Sequence, residues 1–306
     1  MYIEANKNPV RIKDISEIML NNKNRLQNLE IGKLKIMGVI NVSPNSYYKN
    51  SIATDYESIS SRAKELEEAG ADIIDIGAMS TAPYLEDTTF QYLEKERLRT
   101  GIEAVRDSST LPISIDTPRA KVAKLCIDMG VDIINDITGL KHDKNMARVV
   151  SDSKVQLIMG AYNWSDSRTR HGDIDETMRI LKTSLDIARE YKIPNENQIV
   201  DPSIGFFRKE GKNDFFTDIE IMEWYERDLN IISNLAKLET HLRPICISVS
   251  NKSFLGQLFG LDIRNRLVPS LIFELLCFLR GATIIRTHNV KQTRIAINAV
   301  EYYLKK

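Results

Sequence analysis

The sequence predicts a single (β/α)8 TIM barrel with a short N-terminal extension, on three observations. Eight short apolar runs follow one another from residue 36, amphipathic stretches separate them, and glycine closes two of those stretches. The runs are IMGVINV (36–42), ADIIDIG (71–77), PISID (112–116), DIINDI (132–137), QLIMG (156–160), QIVDPSI (198–204), PICISVS (244–250) and TIIRTH (283–288). Their near-continuous Ile and Val character suits strands covered on both faces, as in a parallel sheet.

The helical stretches fall between them. Over 56–69, Ile59, Ala63, Leu66 and Ala69 recur at spacings of three and four, and Gly70 sits where a helix-ending glycine belongs. The pattern returns at 118–129, closed by Gly130, and at 174–191, 219–239 and 291–304. This alternation makes the barrel the first choice and an open doubly wound sheet the second. Residues 1–33 lie outside the pattern and are expected to form an extension capping the barrel's N-terminal end, leaving 34–306 as the barrel.

Composition narrows the function classes. The chain has 306 residues, 42% of them hydrophobic, enough for a sizeable core, and 42 basic residues balance 42 acidic ones. Nucleic-acid and membrane-surface binders usually carry a basic excess, so neither partner is expected. The first residues lack an apolar signal core and no apolar run reaches membrane-spanning length, so a soluble, cytoplasmic protein is expected. Cys126, Cys246 and Cys277 lie in apolar segments and read as reduced core thiols.

The functional face of such a barrel is at the C-terminal ends of its strands. Those ends here carry Asn41, Asp116, Asn135, Asp136, Asp201, Arg286 and His288, with Lys252 just beyond the seventh strand. Singly, each could be a helix cap or a loop tether; Asp116 before Thr117-Pro118 could merely start the third helix. Asp72 and Asp75 read as structural and are left outside the site. Together, carboxylates, an amide and cations on one rim are costly to desolvate without a polar ligand. A flat heterocycle with amide-like edges fits, because a carboxylate accepts two parallel N–H bonds from an amino-pyrimidinone. Arg286 and His288, two apart on a strand, face the same side and suit an anion such as diphosphate.

These residues resemble the dihydropteroate synthase family over about 36–300. MGVINVSPNS (37–46), GADIIDIGAMSTAP (70–83), ISIDT (113–117), INDITG (134–139), VDPSIGF (200–206), SNKSFLG (250–256) and IIRTHNV (284–290) match its motifs in order. The family joins a dihydropterin-methyl diphosphate to an aminobenzoate-type amine and releases diphosphate. The resemblance implies a catalytic set of Asp116, Lys252, Arg286 and His288. It further implies that Asp201, Asn135 and Asp116 hold the pterin edge, with Lys252 on the ring, Met159 in the apolar floor and Arg286 stacked on the pterin. Asn41, Arg286 and His288 would grip the diphosphate, with Mg²⁺ bridging Asn41 and phosphate oxygens. Thr81, Pro83, Phe206 and Ser253 would wall the amine's ring. A homodimer is implied as well, with the helix at 219–239 and the last two helices apolar enough to form its face.

Departures cluster on the diphosphate and amine side. The first loop reads Asn45-Ser46-Tyr47-Tyr48-Lys49, Ala82 and Asn251 stand where the family usually has Arg, and the histidine often ending strand five is missing from Met159-Gly160-Ala161-Tyr162. A different amine is one explanation. Methanopterin-type archaeal relatives use a ribofuranosyl-aminobenzene phosphate, which Tyr47, Tyr48, Lys49 and Tyr84 could meet. Two other readings stay open: a methyl-pterin-dependent methyltransferase, with which Asn251 is shared, and a non-catalytic pterin-binding protein.

Overall fold

The computed structural model describes residues 34–43, 52–86, 89–163, 169–241 and 243–304. The expected N-terminal extension and the first-loop residues Tyr47, Tyr48 and Lys49 lie outside the described residues.

Strands β1 (Lys35–Asn41), β2 (Ile73–Gly77), β3 (Ile113–Asp116), β4 (Ile133–Asp136), β5 (Gln156–Gly160), β6 (Gln198–Asp201), β9 (Cys246–Ile247) and β10 (Ile284–Thr287) form one parallel sheet. Its order is β6-β5-β4-β3-β2-β1-β10-β9. A parallel bridge from Val200 to Ile245 joins the two ends, with Val200 N–H donating to the Pro244 carbonyl at 3.0 Å. The sheet is therefore a closed eight-stranded barrel, and the open doubly wound alternative is set aside.

Strand periodicity sorts the barrel into layers. Alternate residues point to opposite faces, and Met37, Ile73, Ile133, Ile158, Ile199, Cys246 and Ile284 form a separate buried cluster inside the barrel. Their neighbours Ile36, Ile74, Ile134, Leu157, Val200, Ile247 and Ile285 belong to the larger core beneath the helices. Burying each such side chain contributes about 2 kcal/mol. One inward step further, six of the eight strands turn from the apolar plug to polar groups: Asp75, Ser114, Asn135, Asp201, Ser248 and Arg286. The site sits on a floor of packed apolar side chains.

The helices follow the strands: α1 (Tyr56–Glu68), α2 (Gln91–Ser108), α3 (Ala120–Asp128), α4 (Met146–Ser151), α5 (Ile174–Glu190), α6 (Trp224–Ser233), α7 (Ser253–Phe259), α8 (Leu267–Leu279) and α9 (Val290–Leu304). Asp55 caps α1 by accepting from Ser58 N–H at 2.9 Å, with Ser58 closing the reciprocal bond to the Asp55 backbone. Gly70 (φ 89°) and Gly130 (φ 83°) end the first and third helices in the left-handed region, where a Cβ would be strained. No helix among the described residues is long and apolar enough to cross a membrane. All three cysteines are buried and free.

The helix expected over 219–239 is corrected. Thr217–Asp218 (β8) pairs in parallel with Phe207–Arg208 (β7), α6 starts only at Trp224, and Leu235–His241 is a 3₁₀ segment. The backbone of Ile219, Glu220 and Ile221 is spent instead on bonds to the carbonyls of Arg208, Thr169 and Arg170.

Candidate active site

The inward ends of four adjacent strands build the first wall. Register places Asn41 beside Gly77, Gly77 beside Asp116, and Asp116 beside Asn135. Gly77 has no side chain, so Asn41 and Asp116 face each other across it: a Cβ there would stand 3.6 Å from Asn41 Oδ1 and 3.9 Å from Asp116 Oδ2.

Arg286, from β10, crosses the barrel mouth. Its Nε donates to Asp75 Oδ2 at 2.7 Å and its Nη2 to Asp116 Oδ2 at 3.0 Å. Asp75 is fully buried, and its other oxygen accepts from Ser114 Oγ–H at 2.6 Å. Asp75 is thus the residue the sequence reading missed. Its signal was parity, since it shares the inward phase of Ile73 and Gly77. Asp72 does play the structural part assigned to it, accepting from Ile36 N–H and pairing with Arg294.

Asp116 keeps one buried oxygen, Oδ1, without a hydrogen-bond partner. Burial pushes its carboxyl up to about 7, against the pull of Arg286. Burial also raises Asp201, opposed by the Ser203 N–H held on its Oδ1 at 2.7 Å and by Lys252. Burial works against the Arg286 charge, yet Asp75 and Asp116 outweigh it and hold the guanidinium above its ordinary value.

Lys252 precedes α7 and reaches back into the same space, its ammonium 4.4 Å from the centre of the Phe206 ring. Burial and the nearby Arg286 charge push it down to about 8. Gly205, at φ 85°, lets the lysine stem pass: a Cβ there would stand 3.0 Å from Lys252 Cδ. Asn251 sits before it in a left-handed turn (φ 57°), with its N–H on Ser270 Oγ and its carbonyl accepting from Arg266. His288 lies just past β10 with Nδ1 3.2 Å from Ser250 Oγ. Burial and the Arg286 and Lys252 charges push its imidazole down to about 3, so it serves as a neutral ring, not a cation.

Of the expected residues, Asn41, Thr81, Pro83, Asp116, Phe206, Lys252, Ser253, Arg286 and His288 line one cavity, with Ala82 and Tyr84 at its wall. Asn135, the penultimate residue of β4, pairs in register with the cavity residue Asp116, and Asp201 ends β6 with the same inward phase. Met159 is corrected. It packs in the core beneath the helices, and Ile158 takes the inward position. Asp136, of outward phase, ties its own loop by accepting from Thr138 and Leu140 N–H.

The loop carrying Thr81 and Pro83 is braced from outside. Asn213, between β7 and β8, donates to the Ala82 and Leu85 carbonyls at 2.7 and 2.9 Å, and Lys212 N–H donates to Pro83 at 2.6 Å.

Residues 37–288 match the family model described as pterin binding enzyme. The dihydropteroate synthase of Clostridium beijerinckii is 30% identical over 272 residues, covering 89% of this chain and 94% of the relative. That of Bacillus subtilis is 31% identical over 260 residues, 85% of each. The solved dihydropteroate synthase of Clostridium difficile, in the presence of pteroic acid, superposes with a TM-score of 0.76 at 28% identity, covering 90% of this chain and 98% of the other. With a closed barrel, a polar mouth of carboxylates and cations, and similarity running through nearly the whole barrel, the chain belongs to the pterin binding enzyme family and stands among its dihydropteroate synthases.

Proposed function

We propose that this protein joins a dihydropterin-methyl diphosphate to an aminobenzoate-type amine, forming a carbon–nitrogen bond and releasing diphosphate. The observation that carries the reading is the buried rim itself: Asp116 with an unpartnered oxygen and the cations Lys252 and Arg286 line one cavity, and Asn135 and Asp201 stand on neighbouring strands with the same inward phase. Acceptors of this kind match the N–H edge of an amino-pyrimidinone, while Lys252 donates to a ring carbonyl or nitrogen.

Cleaving the carbon–oxygen bond leaves positive charge on the pterin methylene and negative charge on diphosphate. The fixed carboxylates oppose the first and the Arg286 guanidinium the second, in a site where burial strengthens both effects. Neutral His288 offers a hydrogen bond to the departing oxygens. The amine attacks the methylene as the carbon–oxygen bond breaks, passes its proton to the released diphosphate, and needs positioning more than activation; Thr81, Pro83, Phe206 and Ser253 supply its walls.

Magnesium belongs to the same reading. Asn41 offers a neutral, hard oxygen at the cavity wall, and no group of three His, Cys, Asp or Glu suited to a metal occurs among the described residues. That donor set fits an ion taking its other ligands from water and phosphate. When bound, it would neutralise charge on the diphosphate. A homodimer is supported by the apolar outer faces of α8 and α9, where Val268, Ile272 and Ile295 are exposed.

The direct test is mass spectrometry of a mixture of protein, dihydropterin-methyl diphosphate and Mg²⁺ with aminobenzoate or with ribofuranosyl-aminobenzene phosphate. An adduct with aminobenzoate supports the reading; one formed only with the ribosylated amine changes the substrate. Pterin binding with no adduct from either amine favours the methyltransferase or binding-protein reading.

The charge states predict a pH window. A dihydropterin lacking the diphosphate avoids titration of the ligand's phosphates. Its binding should weaken below about 7, where Asp116 gains a proton and loses an acceptor, and above about 8, where Lys252 loses its proton. Flat affinity from pH 6 to 9, measured by calorimetry, would remove both groups from the pterin contact.

A further inference from the structure

The sequence of α8, LVPSLIFELLCFL, carries two polar side chains, Ser270 and Glu274, one turn apart and both buried. Ser270 braces the turn before Lys252, its Oγ accepting from Asn251 N–H at 3.0 Å. Glu274 has no such evident duty. Its Oε2 accepts from Thr293 Oγ–H at 2.7 Å, its Oε1 has no hydrogen-bond partner, and no cation pairs with it among the described residues. Burial pushes the carboxyl up to about 7, against the hydrogen bonds of Thr293 and Thr287. A buried carboxyl in an apolar helix is costly to keep. Its contacts lead back to the mouth of the barrel.

Thr287 ends β10 between the cavity residues Arg286 and His288. Its Oγ accepts from Asn289 N–H at 3.1 Å, and a backbone amide can only donate. The Thr287 proton is therefore left for Thr293 Oγ, 3.4 Å away, and the Thr293 proton for Glu274. The chain from Asn289 through Thr287 and Thr293 runs in one sense because Glu274 ends it as an acceptor. The turn it holds closes on Ser250, whose Oγ accepts from His288 N–H at 3.2 Å and from Asn289 Nδ2–H at 3.3 Å. With both acceptor sites filled, the Ser250 proton goes to His288 Nδ1, 3.2 Å away. A neutral imidazole that accepts at Nδ1 carries its own proton on Nε2.

We propose that Glu274 is a positioning residue for His288: through Thr293, Thr287 and Asn289 it holds the turn on Ser250 and so keeps the ring proton on Nε2. Glu274 does not line the cavity and acts from the helix side of β10. The inference rests on the synthase reading for the use of that proton, a hydrogen bond to the departing diphosphate. It deepens the reading by naming what sets the tautomer.

The test reads the tautomer directly, by long-range proton–nitrogen NMR on the full chain labelled with ¹⁵N-histidine. The chain has 4 histidines, and the His288 signals are those lost in His288→Gln. The wild type should show His288 protonated on Nε2, and Glu274→Met should show it averaged between the two nitrogens. Glu274→Met should also lower kcat about 5- to 10-fold, less than the loss from removing a donor outright, with KM for the amine within about twofold. Glu274→Gln keeps an acceptor for Thr293 and should keep both the tautomer and kcat. In a His288→Gln background, Glu274→Met should lower kcat by no more than about a further twofold, since both act through one ring. If Glu274→Met does not fold, Thr287→Val breaks the same chain and should average the same tautomer. A wild type protonated on Nδ1, an Nε2 proton undisturbed in Glu274→Met or Thr287→Val, or losses that multiply with His288→Gln overturns the proposal. A tautomer that responds to Glu274→Met in a protein forming no adduct would refute the synthase reading alone, since the NMR arm needs no turnover.

Discussion

Asp201→Asn is expected to lower kcat/KM for the pterin diphosphate by about three orders of magnitude while leaving the protein as stable as before, or slightly more stable. The two effects have separate causes. A carboxylate accepts on both oxygens, and an amide of the same shape turns one acceptor into a donor. An N–H of the pterin edge would then meet another N–H, so a bond to a charged group is lost and a buried donor is stranded. Stability runs the other way. Burial raises the Asp201 carboxyl above its ordinary value. A carboxyl raised in the folded state resists losing its proton there, so it costs stability as pH climbs above its unfolded value. Asn removes that cost and keeps the one internal contact, since its carbonyl oxygen can still accept from Ser203 N–H. Steady-state kinetics and thermal melts on one preparation decide the matter. A fall in Tm that tracks the fall in activity would mean Asp201 holds the strand end and not the pterin.

The barrel was legible because its signal is local: each apolar run carries its own strand, and each glycine stop its own helix end. Phase was harder. In QLIMG both Ile158 and Met159 are apolar, so the run is silent about which one faces inward. The structure puts Ile158 in the plug and Met159 under the helices. Asp75 was missed for the converse reason. Its partner Arg286 lies on the strand that closes the barrel next to β1, 211 residues away, and no spacing rule connects them. The polar ends Asn41, Asp116, Asp201 and Arg286 were found because a strand-terminal charge after an apolar run stands out without any knowledge of partners.

Arg286→Met should abolish turnover and destabilise the fold by about 3–5 kcal/mol, the cost of leaving buried carboxylates without their counter-ion. Asp75 and Asp116 would both lose the guanidinium that bridges them at 2.7 and 3.0 Å. The Asp116 carboxyl, raised to about 7 by burial against the pull of Arg286, would then titrate higher still in the folded state than in the unfolded one. Stability would therefore fall as pH rises through that interval, and the variant should be firmer at pH 6 than at pH 8. Adding Asp75→Asn to Arg286→Met removes one stranded charge and keeps an acceptor for Ser114 Oγ–H. The double variant should regain much of the lost stability, giving a coupling of about 2 kcal/mol in a double-mutant cycle by urea unfolding. It should regain no activity, because diphosphate has lost its cation whatever happens to Asp75. Purely additive effects on stability would mean that the Arg286–Asp75 contact contributes nothing measurable. Recovery of turnover in the double variant would mean that Arg286 serves only to neutralise Asp75. Stability that returns without turnover separates the two duties of Arg286, balancing the carboxylates of the mouth and stabilising the departing diphosphate.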